Sequence, residues 1–161
     1  MFDKILKGFV DIIYGTNRKR RNFELKNADE KVLAADASKG IITNESQEIT
    51  RGINWVTSQR AVLMLTNKNI ICGKWIVPLD IISTAKLTKI SSLFGNGQVL
   101  TIETKDNKNY QFGMQINPEW INQDALPLEL EKGNIKNSLF SIILRIIILG
   151  YIVYQIFRRF V

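Results

Sequence analysis

The spacing of apolar and polar positions divides the chain into parts with different periods. From Met1 to Tyr14, apolar residues recur every three or four positions with charged residues between them, and this spacing predicts an amphipathic helix. From Lys31 to about Met114, short β-branched and aromatic runs alternate with Asn, Gly, Asp and Lys. Such runs predict strands joined by tight turns. The last part, 138–161, is apolar almost throughout.

The middle part predicts a mainly β domain closed by a helix. A short helix is predicted from Asn117 to Ala125, because Asn117 can cap it and Pro118 suits the first helical position. The predicted strands are 32–37, 53–57, 61–66, 69–72, 75–78, 81–90, 98–104 and 109–115. The predicted parts of the chain are an amphipathic helix with a basic linker (1–30), the β domain (31–126), a linker (127–137) and a membrane helix with a short tail (138–161).

The C-terminal part has the length and composition of a membrane-spanning helix. Between Leu139 and Phe157, 13 of 19 residues are Leu, Ile, Val or Phe, and a helix of 19 residues is roughly 28 Å long. Its apolar residues lie all round the helix, which distinguishes a spanning helix from one that lies on the surface. The predicted interfacial anchors at its far end are Tyr151, Tyr154, Arg158 and Arg159.

Arg145 lies inside this predicted span. A charge near the centre of a span costs about 2.5–3.5 kcal/mol, which the apolar residues outweigh at about 0.3–0.6 kcal/mol each. One interpretation is that the guanidinium reaches back toward the interface. The other is that Arg145 contacts a polar group of another membrane subunit. The sequence leaves both open.

The N-terminal part is a second candidate for membrane contact. The predicted membrane-surface residues are Phe2, Leu6 and Phe9 on the apolar face of the helix and Arg18, Lys19, Arg20 and Arg21 in the run that follows. Each such cation near an anionic lipid surface contributes roughly 1 kcal/mol to the free energy of membrane binding. The alternative is that the helix packs against the domain or a partner and that the basic run is a solvated linker. Asp3 and Asp11 interrupt any signal-peptide core, so we expect the folded domain on the cytoplasmic side of the membrane.

Composition and charge argue against enzymes and nucleic-acid readers. The chain has no His and one Cys, which removes the usual general base, the usual zinc ligands and every Ser-His triad. We therefore expect no catalytic residue, no metal and no cofactor. Residues 1–30 carry 7 cations and 5 anions and residues 131–161 carry 5 and 1, whereas residues 31–130 carry 10 and 9. A nearly neutral domain with basic ends is not the charge pattern of a nucleic-acid reader.

Four sequence segments resemble the pleckstrin-homology-like (PH-like) superfold in its GRAM or bacterial form. They are Ala-Val-Leu-Met-Leu-Thr-Asn-Lys-Asn-Ile-Ile-Cys (61–72), Ile-Val-Pro-Leu-Asp-Ile-Ile-Ser (76–83), Gln-Val-Leu-Thr-Ile-Glu-Thr-Lys-Asp (98–106) and Tyr-Gln-Phe (110–112). The resemblance implies a bent antiparallel sandwich or barrel with a capping helix, and a docking role without catalysis. The chain departs from phosphoinositide-binding members, because Lys39 and Arg51 stand among Glu45 and Glu48 where those members gather several cations.

These observations predict a non-catalytic, tail-anchored, single-span membrane protein. Its PH-like domain would dock onto partners, as an accessory or assembly subunit of a membrane complex. The alternative is an anionic-lipid-binding module at the cytoplasmic face of the membrane.

Overall fold

The computed structural model describes residues 2–43, 50–51, 58–92, 95–133 and 136–137, together with 147, 150, 151, 154 and 155. Two helices precede a set of strands. The elements are α1 (Phe2–Tyr14), α2 (Thr16–Lys26), β1 (Val32–Thr43), β2 (Thr50–Arg51), β3 (Gln59–Thr66), β4 (Asn69–Cys72), β5 (Trp75–Pro78), β6 (Ile82–Ser92), β7 (Gly95–Thr104), β8 (Asn109–Gln115), β9 (Glu129–Gly133) and β10 (Lys136–Asn137). Single 3-10 turns lie at Leu79–Ile81 and Pro118–Trp120.

Eight strands form one curled sheet in the order β5-β4-β3-β1-β8-β7-β6-β9. All neighbouring pairs are antiparallel except β6 and β9, which are parallel. The long strand β1 pairs with β3 from Val32 to Gly40 and with β8 from Ser38 to Thr43. Two short strands, β2 and β10, form a separate parallel pair. The mainly β fold predicted from the sequence is confirmed.

Aromatic contacts mark how tightly the sheet curls. Trp75 lies on β5 and Tyr110 and Phe112 lie on β8, four positions along in the strand order. Their ring centroids are nevertheless 6.2 Å apart in each pair that includes Trp75. Gly40, in the second half of β1, makes room for this contact. A Cβ at Gly40 would lie 2.7 Å from an atom of Trp75 and 2.9 Å from one of Phe112.

The concave side of the sheet holds the main hydrophobic core. Trp120 and Leu126, which follow the last long antiparallel strand, close this core from one side. Its other buried residues are Ala34, Ala61, Leu63, Leu65, Ile70, Cys72, Val77, Ala85, Leu87, Leu100, Ile102, Phe112 and Met114.

A second, smaller core lies on the convex side of β1, β3 and β4. It is formed by Val32, Ala35, Val62, Met64 and Ile71, and partly buried Tyr14 and Phe23 from the two helices pack against it. The helices therefore cover one face of a sheet whose other face is already filled. This explains the uninterrupted apolar run of β3, in which every residue from 61 to 66 is buried, since a strand buried on both faces does not alternate.

The segment predicted as a basic linker is helical. Helix α2 begins at Thr16, after Gly15, whose φ of 63° is the left-handed conformation that glycine adopts without strain. Its arginines, lysines and glutamate are good helix formers, and Phe23 supplies a contact with the convex core. The run of like charges predicts either a membrane-surface segment or a solvated linker, whereas Phe23, Arg20 and Glu24 dock the helix on the domain.

The predicted closing helix is reduced to one 3-10 turn. The predicted start is right, because the side chain of Asn117 accepts a hydrogen bond from the backbone N–H of Glu119 and Pro118 follows. The helix ends at Trp120 because the Gln123 side chain takes over the local backbone groups. Its amide donates to the carbonyls of Trp120 and Leu126, and its oxygen accepts from the N–H of Leu126.

Part of the predicted linker 127–137 is a strand. Strand β9 extends the sheet beside β6, and Lys86 of β6 lies 3.3 Å from Glu129 and 3.2 Å from Glu131. The strand is exposed and charged, so it carries no hydrophobic alternation that would have indicated it. The predicted strand at 53–57 lies outside the described residues.

Within the described part of the chain, no helix is both long enough and apolar enough to cross a membrane. Residues 147, 150, 151, 154 and 155 of the predicted span are helical. The rest of 138–161, including Arg145, lies outside the described residues. The span therefore stays a prediction from the sequence.

The close approach at Gly40 predicts that Gly40→Ala destabilises the fold. The added methyl group must displace the rings of Trp75 and Phe112, and overpacking of this kind costs about 1–3 kcal/mol. Urea unfolding should show a lower midpoint. Gly8→Ala is the control, because nothing lies within 4 Å of a Cβ there and alanine favours a helix. Equal midpoints for Gly40→Ala and wild type would contradict the packing described.

Candidate functional site

Helix α1 packs on the domain through its polar face. The ammonium group of Lys7 lies 2.6 Å from a carboxylate oxygen of Asp36 and 2.8 Å from one of Asp11. Asp36 lies on β1 and is 1% exposed, and Asp11 is one turn after Lys7 on the same helix. Tyr14, a further three residues along, packs against the convex core. Lys7, Asp11 and Tyr14 share one helix face at four- and three-residue spacing.

The apolar face of α1 therefore points away from the domain. Ile5, Phe9, Ile12 and Ile13 are 67%, 62%, 79% and 64% exposed. We call these four residues the outer ridge; their spacing of four, three and one places them along one side of the helix. A surface helix of a globular protein usually buries its apolar stripe. Here the orientation is the reverse, and the helix exposes a continuous apolar surface.

Asp36 is the buried group to which α1 attaches. Besides the Lys7 bond, it accepts a hydrogen bond of 3.3 Å from the indole N–H of Trp120. Burial raises the pKa of Asp36, and the opposing effect of Lys7 does not cancel it. Burial also lowers the pKa of Lys7, but its hydrogen bonds and charge attraction to Asp11 and Asp36 outweigh that effect and raise it. The ion pair between Lys7 and Asp36 therefore holds the helix on the sheet, although it offsets only part of the cost of burying the Asp36 charge.

Helix α2 attaches to the same region through Arg20. Its guanidinium donates to Glu119 at 2.9 Å and to the carbonyl oxygen of Val32 at 2.8 Å. Glu119 in turn accepts from the N–H of Ala35 at 3.2 Å, and Asn117 donates to the carbonyl of Ala35 at 3.2 Å. The first half of β1 has a strand neighbour on one side only, because β8 pairs from Ser38 onward. These side chains satisfy backbone groups on its other side.

The four basic residues of the predicted run do not all face the same side of α2. Arg18, Lys19 and Arg21 are exposed, whereas Arg20 is partly buried in its contacts with the domain. Exposed Leu25 also lies on α2 and is 76% accessible. We call Arg18, Lys19 and Arg21 the outer cations. A helix distributes successive residues around its axis, so a run of four cannot face one direction.

The other predicted site residues fall into two groups. The first group is exposed: Phe9 belongs to the outer ridge, and Tyr151 and Tyr154 are 62% and 60% exposed. The side-chain amide of Gln155 donates a hydrogen bond of 2.7 Å to the hydroxyl of Tyr151. The side chains of Phe2 and Leu6, together with Arg145, Arg158 and Arg159, lie outside the described residues.

Part of the site is not among the residues predicted from the sequence. Ile5 and Ile13 were part of the periodicity that predicted the helix, but neither they nor Ile12 entered the predicted site. The inward ion pair of Lys7 was also missed. Its sequence signal is weak: Lys7 and Asp11 are four residues apart on one face, which predicts a local pair, whereas Asp36 is distant in the chain.

The described residues contain no cluster of three or more His, Cys, Asp or Glu that could hold a metal ion. Cys72 is buried, its sulfur lies 3.5 Å from the hydroxyl of Ser38, and burial raises the pKa of its thiol. A raised pKa reduces the thiolate fraction and hence reactivity. No family model matches the chain, and no curated protein matches it significantly.

We predict that Asp36→Ala destabilises the protein by about 3 kcal/mol, because it leaves the charge of Lys7 and the indole N–H of Trp120 without their buried partner. Asp36→Asn should cost less, since the amide oxygen can still accept one of these bonds. Thermal and urea unfolding measure the loss of stability in both variants. Asp124→Ala, at an exposed position, is the control; a loss no greater in Asp36→Ala than in that control would contradict the role given to Asp36.

The same variants test the pH dependence. Because the pKa of Asp36 is raised in the folded state, the folded protein binds this proton at a higher pH than the unfolded chain does. Its contribution to the free energy of unfolding therefore increases as the pH falls from neutral toward the unfolded value of 3.8. Asp36→Asn should lack this contribution. The free energy of unfolding of the wild type, relative to that of Asp36→Asn, should therefore increase as the pH falls across that range.

Proposed function

We propose that the chain is a non-catalytic membrane protein whose β domain lies against the anionic cytoplasmic face of a bilayer. The outer ridge enters the lipid interface, the outer cations bind anionic headgroups, and the predicted C-terminal span anchors the chain in the same membrane. On that surface the domain serves as a docking module for other membrane subunits. The observation that carries the proposal is the outward apolar face of α1.

The magnitudes support membrane contact through α1 and α2. Burying an exposed Ile or Phe side chain yields about 1.5–3 kcal/mol when burial is complete, and each ridge residue is already partly covered by its own helix. Four of them would supply roughly 4 kcal/mol or more. Three cations near an anionic surface would add about 3 kcal/mol at low salt. Neither contribution is large alone, but two weak attachments and a span on one chain reinforce each other.

A partner subunit is the second candidate for the outer ridge. The same apolar surface could pack against a protein, as the predicted role of an accessory subunit requires. Vesicles without protein distinguish the two occupants, because a ridge used only for subunit contact would contribute nothing to vesicle binding, and its substitution would leave that binding unchanged.

We expect residues 1–137 to float with anionic vesicles at low salt and to be released as salt increases. The triple variant Ile5→Ser/Phe9→Ser/Ile12→Ser should bind at least tenfold more weakly, because each change removes roughly 1 kcal/mol of apolar contact. Arg18→Gln/Lys19→Gln/Arg21→Gln should weaken binding similarly and remove most of its salt dependence.

Two controls accompany the flotation assay. Ile42→Ser/Ile76→Ser/Leu130→Ser removes three exposed apolar side chains elsewhere, at 40%, 64% and 57% exposure, and should leave binding unchanged. Arg20→Gln should reduce stability more than binding, since its guanidinium contacts the domain. Equal flotation of the ridge variant and wild type would refute the proposed surface contact.

The predicted span has its own test. The full chain should remain with membranes in alkaline carbonate, whereas residues 1–137 should be extracted, because electrostatic attachment is lost and a spanning helix is not. Arg145→Leu should insert at least as well as wild type, since it removes a charge that costs about 2.5–3.5 kcal/mol. Full extraction of the intact chain would exclude the span.

A further inference from the structure

The described charges of helix α1 are turned toward the sheet. Lys7 and Asp11 are 22% and 19% exposed, and Lys7 bridges Asp11 and Asp36. The exposed residues of the helix, among those that the structure describes, are Ile5, Gly8, Phe9, Ile12 and Ile13. A free amphipathic helix on a membrane keeps its cations at the headgroups. The exposed part of α1 can instead contact a bilayer only through apolar groups.

The exposed cations lie on the other helix. Arg18, Lys19 and Arg21, the outer cations, form no ion pair among the described contacts, whereas Arg20 is paired with Glu119. Apolar contact and electrostatic contact with a bilayer are therefore assigned to different helices. A substitution in one helix can change one kind of contact and leave the other intact.

Two contacts fix the rotation of α1 about its own axis. Lys7 binds Asp36, and Tyr14, about two turns further along, packs against the convex core. The helix cannot roll to place its apolar side deeper in a membrane, and the sheet lies behind its polar side. Because a helix is about 10–12 Å across, only its outer half can enter, and the outer ridge reaches roughly 5 Å into the headgroup region.

A wedge of this depth needs open space between lipid headgroups. In a flat, tightly packed leaflet that space has to be created, which costs free energy. The outer leaflet of a strongly curved membrane already has such gaps, and the binding of amphipathic helices depends on curvature for this reason. Since the outer ridge has only four side chains, the cost of opening the leaflet decides whether they enter.

We propose that the two helices recognise a membrane surface that is both anionic and strongly curved. The outer ridge responds to gaps between headgroups, and the outer cations respond to negative charge. This inference rests on the proposed function, which assigns both surfaces to a bilayer, and adds the kind of bilayer that they select. Because the two contributions come from separate helices, they add in free energy and are separable by substitution.

Gly8 supplies the position for a reporter of insertion. It is exposed beside the outer ridge, and nothing lies within 4 Å of a Cβ there. The full chain with Gly8→Cys carries an environment-sensitive dye and is added from dilute detergent to preformed vesicles. The vesicles are about 30 nm or about 200 nm across and contain phosphatidylcholine with or without phosphatidylserine. Emission is measured on the vesicle-bound chain, and the chain without Gly8→Cys gives the background from buried Cys72.

We expect about threefold greater emission on the small vesicles than on the large ones, and about threefold greater emission with phosphatidylserine than without it. Ile5→Ala/Ile12→Ala should bring the size ratio close to one and keep the dependence on phosphatidylserine. Arg18→Gln/Lys19→Gln/Arg21→Gln should do the reverse. Ile42→Ala/Ile76→Ala, at exposed positions outside α1, is the matched control and should change neither ratio.

The outcomes separate this inference from the proposed function. Equal emission on the two vesicle sizes, with the dependence on phosphatidylserine intact, would overturn the recognition of curvature and leave the proposed function in place. Loss of the size ratio in the variant of the outer cations would overturn the division between the helices. If the dye stays in water on every kind of vesicle, α1 does not enter a bilayer, and both proposals are wrong.

Discussion

The buried carboxylate of Asp36 determines how the N-terminal helix lies on this protein. A charge with 1% exposure needs a cation and hydrogen-bond donors, and Lys7 and Trp120 supply them. Lys7 can reach Asp36 only if the polar face of α1 turns toward the sheet. The apolar face must then turn outward, since the two faces of one helix cannot both be inside. The exposed outer ridge is thus a consequence of this ion pair, together with the packing of Tyr14 on the same helix face.

This constraint links the fold to the proposed membrane role. The curled sheet fills its concave side with its own core, and the convex side takes Tyr14 and Phe23 from the helices. The four residues of the outer ridge belong to neither core. The cations of α2 that do not contact the domain lie on a helix adjacent to α1 in the chain. A membrane surface would offer apolar and anionic partners to both sets at once.

The β domain was largely predictable because its signals are local. The strands of the 61–78 region are flanked by turn residues, and their observed bounds agree closely with those predicted. Asn117 and Pro118 correctly indicated the start of a helical turn. Strand β9 was missed because it is charged and exposed, so that its position depends on pairing with β6. The extent of the closing helix was missed because the Gln123 side chain takes up backbone groups within the turn.

The candidate site was only partly predictable, since its geometry depends on long-range contacts. The sequence identified the periodicity of α1 and the basic run, but it could not indicate that Lys7 pairs with a residue 29 positions away or that Arg20 turns inward to Glu119, 99 positions away. Both contacts join a helix to parts of the chain that meet only in the folded domain. The orientation of an amphipathic helix is therefore a tertiary property, even where its amphipathicity is plain in the sequence.

The hydrogen bond between Trp120 and Asp36 also gives the protein an intrinsic optical reporter. The indole of Trp120 is fully buried, and its N–H bonds the same carboxylate that holds Lys7. Any event that lifts α1 from the sheet changes the charge balance and hydration next to that chromophore. The emission of Trp120, one of the three tryptophans of the chain, should therefore change when the N-terminal helix leaves the sheet, without an attached dye.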